Sequence, residues 1–171
     1  GEEKVRRLRA VGVTAARTDA PAPDPPGVRE TARFGRARIV AIDGARPEHL
    51  FVRSARSAPP GLLAPAPADP LDEALLEGEG APALFGEGRV WLLERTNRLR
   101  RLLVRVEPPG GLLVVARAWH PAWKARVDGL PVESLRADGF LTALRVPPGR
   151  HEVVLAYEDG RIAAGAAVTL L

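Results

Sequence analysis

Apolar and polar residues alternate through most of the second half of the chain, at the period of two that a strand requires. Leu99–Glu107 sets Leu102, Val104 and Val106 against Leu103 and Arg105, and Pro108-Pro109-Gly110-Gly111 ends it. Arg89–Glu94 predicts a strand before it, and Leu112–Trp119, apolar on both faces, predicts a central strand after it. Lys124–Val127 and Pro131–Leu135 flank Asp128-Gly129, a dipeptide suited to a two-residue type I′ turn, so they predict a hairpin. Phe140–Val146 places Phe140, Thr142, Leu144 and Val146 on one face. After Pro147-Pro148-Gly149, His151–Tyr157 directs Val153, Leu155 and Tyr157 inward. About six or seven short strands, with turn signals roughly every 8–12 residues, predict an antiparallel β-sandwich or jelly-roll-like module over residues 89–160.

The first half is patterned differently. Glu2–Ala10 predicts a short helix, with acids at its start and arginines toward its end as the helix dipole favours. Val11-Gly12-Val13 stops it and opens a strand to about Arg17. Residues 18–27 form a Pro-rich loop; Val28–Phe34, Arg36–Ile42 and Leu50–Ala55 predict further strands. Residues 1–56 thus predict a small α/β subdomain, making the whole chain mainly β. Residues 57–88 hold six acids, no Lys or Arg and eleven Pro or Gly, the composition of a connector. Within it Pro70–Glu77 predicts a short helix, with Pro early and Gly78 just past the end. Ile162–Leu171 carries no charge and no alternation. Residues 161–171 therefore have two readings, a last buried strand or the start of a truncated transmembrane helix, since a full span needs about 20 residues.

Composition narrows the function classes. At 171 residues and 46% hydrophobic, the chain fits one domain, or one with a small satellite, and not a disordered protein. The lack of Cys excludes a disulfide scaffold, a Cys-ligated zinc and a thiol nucleophile. His49, His120 and His151 are scattered, so no metal site and no cofactor are expected. A start at Gly1 with no Met anywhere suits a segment processed or cut from a longer protein. The net charge is +4, from 25 basic residues of which only Lys4 and Lys124 are lysine. They are interleaved with 21 acids and no RNP-type motif is present, so nucleic acid is not an expected partner.

The most conspicuous candidate site is Trp119-His120-Pro121-Ala122-Trp123. As a glycan platform, the cluster with His120 would stack Trp119 and Trp123 on sugar faces while Lys124, Arg126 or Asp128 hydrogen-bonded hydroxyls. As structure, the tryptophans would cap the core where a strand turns, since such a ring buries up to ~250 Å². No catalytic residue is expected: His120 and His151 have no nucleophile placed beside them and no Gly-x-Ser-x-Gly elbow exists. Asp69, Asp72, Glu73 and Glu77 lack the alternating oxygen ligands of a calcium loop and predict a solvated helix face. The run Arg95, Arg98, Arg100, Arg101 and Arg105 suits anionic lipid headgroups or cell-wall phosphates, or else a charged strand edge that deters aggregation.

Residues 112–157 also carry a family pattern. Leu112–Val115, Pro121 with Trp123-Lys124, Val127-Asp128-Gly129, Ala137-Asp138-Gly139-Phe140 and Pro148-Gly149-Arg150-His151 with Tyr157 follow in order. This stretch resembles the soluble C-terminal region of the YfhO family of bacterial polytopic membrane proteins. Asn97-Arg98 and, more weakly, Leu8–Val13 are similar too. Ala122 stands where Gly is usual, His120 replaces an aromatic residue, and Asp138 stands at an Asn position. The resemblance implies an extracytoplasmic module of a membrane glycosyltransferase-like protein, with its own transmembrane domain as partner and a glycan or cell-wall polymer as ligand. It implies no catalytic residue in this chain, because the family's catalytic acid lies in membrane-proximal loops.

Overall fold

The structure, a computed structural model, describes residues 2–10, 12–18, 26–60, 66–78 and 83–158. The expectations for residues 161–171 lie outside the described residues. Among those described, no helix is long and apolar enough to cross a membrane. Among the described residues the protein is mainly β, with one short helix and sheets that are antiparallel but for one strand pair, in a sandwich-like arrangement.

The helix α1 (Glu2–Ala10) has Glu2 and Glu3 in its first turn and Arg7 and Arg9 in its last, and it buries Val5 and Ala10. It ends in a Schellman motif: Gly12 N–H donates to Arg9 O at 3.0 Å and Val13 N–H to Leu8 O at 2.9 Å. Gly12 sits at φ 77°, and a Cβ there would lie 2.9 Å from Arg46 O, so glycine is required twice over. The strands β1 (Ala15–Thr18), β2 (Val28–Phe34) and β3 (Ala37–Ile42) form a small antiparallel sheet with β3 central. Its alternation buries Val40 and Ile42.

Among the described residues the other twelve strands form two sheets. One has the order β4 (His49–Val52), β10 (Gly111–Ala118), β14 (Leu141–Val146), β13 (Ser134–Ala137), β6 (Glu73–Glu77), β5 (Ser54–Ala58), β7 (Ala83–Leu84). The other has the order β12 (Leu130–Val132), β11 (Trp123–Val127), β15 (Gly149–Tyr157), β9 (Leu99–Val106), β8 (Gly88–Arg95). Between them lies a core of Phe51, Leu113, Val115, Leu144 and Val146 from the first sheet against Leu102, Val104, Trp123, Val127, Val153 and Leu155 from the second. The Phe51 ring fills the space left by Gly88 and Gly111, where a Cβ would come within 2.3 Å and 2.6 Å of it.

Two expectations are corrected. The described parts of residues 57–88 carry strands of the sheets and not only a connector, and Pro70–Glu77 is not a helix. Asp69 does start a turn, accepting Leu71 N–H on its side chain and Glu73 N–H on its carbonyl, but the chain then straightens into β6. There it pairs parallel with β5, Ser54 opposite Glu73. Ala74, Leu75 and Leu76 are all buried, so this strand shows neither alternation nor a helical stripe. The boundary at residue 56 moves for the same reason. The stretch Leu50–Ala55 is split at Arg53 into β4 and β5, and both belong to the seven-stranded sheet rather than to the α/β unit.

That split shapes the layer. β4 and β5 stand near opposite ends of the strand order, yet only Arg53 separates them. The sheet must therefore curl until its ends approach. Its inner face holds a second core of Val52, Leu76, Leu112, Val114 and Leu141 with four small residues, Ala55, Ala74, Ala137 and Ala143, as a tightly curved sheet demands.

Candidate functional site

The five residues of the predicted platform do not converge. Trp123 opens β11 with its ring in the intersheet core, 5% exposed. The Tyr157 ring meets it edge-on at 5.3 Å, and the Arg117 guanidinium lies 4.4 Å from its centroid. Trp119 follows β10 in the other sheet and is half-buried; its Nε1–H donates to Ser134 O at 3.0 Å, and Arg136 lies 4.6 Å over its ring. Both indoles are thus covered on a face by an arginine of the same chain. His120 is exposed, with Nδ1 accepting the Ala122 N–H at 3.1 Å, which fixes the corner between the sheets. Lys124 is exposed on the outer side of β11 and donates to Pro121 O at 2.9 Å. Asp128 lies beyond the far end of β11, five residues from Trp123 and hence about 17 Å away.

Asp128 has a structural task. With Gly129 it forms the expected two-residue turn, at φ 50° and 80°, closing Val127 against Leu130. Its Oδ1 accepts the Glu152 N–H at 2.8 Å, and Oδ2 lies 2.6 Å from His151 Nδ1. The hydrogen bond that His151 Nδ1–H donates to Asp128 lifts the imidazole above its ordinary range, and the same bond, helped by Glu152 N–H, holds the Asp128 carboxyl below its own. His151 therefore adds stability below about pH 6.5, its unfolded value, and that gain fades as pH rises through the folded value. Asp128 adds stability above about pH 4 and loses it as pH falls through its depressed value. The tie is strongest between roughly pH 4 and 6.5. In D128N, the His151 ring, followed by NMR, should titrate at lower pH than in the native chain; an unchanged titration would refute the pairing.

The acidic group is also accounted for internally. Asp72 pairs with Arg53, Glu73 with Arg56, and Glu77 with Arg136, while Asp69 caps the turn before β6. Among the described residues no three His, Asp or Glu side chains are grouped to hold a metal ion.

The arginine run is divided by strand alternation. Arg100 points inward, buried, and bonds Glu48 Oε1 at 3.0 Å, with Arg95 on the other oxygen of Glu48 at 2.9 Å. Arg117 joins them through Asn97 O at 2.5 Å. Burial, then the charge of Arg100, pushes Arg117 downward. Next to this group, burial pushes the His49 imidazole down as well, and its Nε2 is buried with no hydrogen-bond partner among the described residues. Arg101 faces outward between Glu152 at 3.0 Å and Glu94 at 3.9 Å.

Two features escaped the sequence. Arg46 and Asp138 form a fully buried ion pair, Nη1 to Oδ2. Arg46 also donates to Pro70 O at 2.5 Å and Glu73 O at 2.7 Å, and Asp138 Oδ1 accepts the Leu75 N–H at 2.8 Å. Nothing in the spacing of residues 46 and 138 signals this; an arginine just past the Asp43-Gly44 turn is ordinary surface in sequence. The second feature is the edge strand β8, which exposes Trp91, Leu92 and Leu93 together. Its apolar run is legible, but its place at a sheet edge is not.

No family model, curated protein or solved structure matches the chain.

Proposed function

We propose that this chain is a non-catalytic, extracytoplasmic module of a YfhO-type polytopic membrane protein of the glycosyltransferase class, working beside that protein's own transmembrane domain. Of the two roles such a module could play, glycan positioning through Trp119 and Trp123 or interaction and architecture, the geometry favours the second. One observation carries this choice. The residues of the family pattern are engaged in holding the fold: Trp123 in the core, Asp128 in a hairpin, Asp138 in a buried ion pair. A side chain already packed and hydrogen-bonded within its own domain offers a ligand little new surface. Contact surface is instead available on β8, where Trp91, Leu92 and Leu93 are exposed in one run.

These 171 residues contain no cysteine, which makes their location testable once any cysteine elsewhere in the protein is replaced by serine. A single cysteine placed by Glu133→Cys, at an exposed site between β12 and β13, should react with a membrane-impermeant maleimide in intact spheroplasts of cells carrying the protein. Labelling only after lysis would contradict an extracytoplasmic module.

A further inference from the structure

On the outer face of the five-stranded sheet, register aligns three arginines in a row across adjacent strands. Arg89 of β8 is paired with Arg105 of β9, and Arg105 with Arg150 of β15. All three are exposed, and among the described residues none of them forms an ion pair. Like charges directly opposite one another in a sheet repel. The adjoining outward row is Trp91, Leu103 and Glu152. Glu152 turns its carboxylate to Arg101 one row further on, which shows the usual remedy: Arg101 is held between Glu94 and Glu152. The ladder lacks it. Glu87 and Glu107 stand only at the strand end of the shallow concavity of about 410 Å³ that Arg89, Arg105 and Trp91 line.

Apolar groups adjoin the ladder. Trp91, paired with Leu103 on the same outer face, is 46% exposed, and Leu93, at the bulge between Leu92 and Glu94, is 55% exposed. That bulge disfavours a partner strand on this edge, since bulges turn an edge away from pairing. An indole and a leucine beside unpaired guanidinium groups match a lipid interface instead: aromatic rings settle at headgroup depth and arginines meet phosphates.

We infer that the Arg89–Arg105–Arg150 ladder with Trp91 and Leu93 is a docking face for the phosphate headgroups of an anionic bilayer. The inference rests on the reading of the chain as a module beside a membrane. Exposed apolar side chains favour lipid over a soluble phosphate polymer, which offers them nothing to enter.

Sedimentation of the folded chain with vesicles tests it. Binding is expected to vesicles of equal phosphatidylglycerol and phosphatidylcholine, to fall with added salt, and to be absent from phosphatidylcholine alone. R89Q/R105Q/R150Q should lower the partition coefficient on the order of a hundredfold, about fivefold per arginine. The same variant should melt no lower than the native chain, because the substitutions relieve repulsion; a purely structural ladder would lower the midpoint. R29Q/R33Q/R36Q, an equal charge change on the three-stranded sheet, should leave binding within a few-fold. Absent binding to the anionic vesicles, equal loss in both triple variants, or capture of soluble polyphosphate without vesicle binding would each overturn the inference. Maleimide labelling from outside together with no vesicle binding would overturn this inference alone, whereas labelling only after lysis would remove the functional reading beneath it.

Discussion

Arg46→Ala should destabilise the domain by about 3–5 kcal/mol, the usual penalty for removing one partner of a buried ion pair. The side chain is fully buried and ties three segments that are distant in sequence. Its backbone N–H donates to Arg9 O at the end of α1, its guanidinium caps Pro70 O and Glu73 O, and its charge neutralises Asp138 between β13 and β14. The variant leaves two carbonyls short of a donor and a carboxylate without its counter-ion. Burial pushes the Asp138 carboxyl up, and Arg46 with the Leu75 N–H opposes that push. Without Arg46 the carboxyl should rise further. A folded state that keeps a proton which the unfolded chain has released grows less stable as pH rises, so the loss should be larger at pH 7 than near pH 4. Asp138→Asn should cost less, because Asn tolerates φ 51° and still accepts the Leu75 N–H. Denaturant titrations of both variants at the two pH values decide it; an Arg46→Ala cost that is the same at pH 4 and pH 7 would mean that the charge is immaterial.

Trp123→Ala should cost about 3–5 kcal/mol, as large aromatic truncations in cores do. The ring belongs to the intersheet core that also holds Leu155 and Val115, meets Tyr157 edge-on and carries Arg117 on one face. Its removal opens a cavity at the corner where the chain passes from β10 to β11, a place with little freedom to collapse because His120 and the Trp123 N–H fix the backbone there. Trp123→Phe should recover most of the loss. A cost below about 1 kcal/mol for the alanine variant would place the ring at the surface and revive the platform reading.

The second half of the fold was legible because its strands bury one face, or are central and bury both. Alternation in β9 and β15 gave their inward residues, and Asp128-Gly129 gave the turn of the hairpin. The expected second arm Pro131–Leu135 is broken at Glu133, with Leu130–Val132 in the hairpin and Ser134–Ala137 crossing to the other sheet. Residues 57–88 misled for a physical reason. Glu73–Glu77 is a short strand in a parallel pair, buried on both faces, and such a strand has no periodicity to distinguish it from a helical turn. The split at Arg53 was equally hidden, since a curl of the sheet depends on partners far along the chain. For the candidate site, the residue types of the tryptophan corner were visible but their direction was not. Trp119 and Trp123 lie four residues apart across a turn between two sheets, so no single periodicity orients both. The arginine ladder was hidden because Arg89, Arg105 and Arg150 become neighbours only through register.

We propose that the tryptophan corner holds the fold while β8 meets the partner. The three indole N–H resonances of this chain report on it directly, in one NMR titration series. With neutral oligosaccharides, Trp119 and Trp123 should stay in place, and with bicelles of anionic lipid the resonance of Trp91 alone should shift or broaden. A saturable shift of Trp119 and Trp123 with oligosaccharide, with Trp91 unmoved by the anionic lipid, would contradict the account.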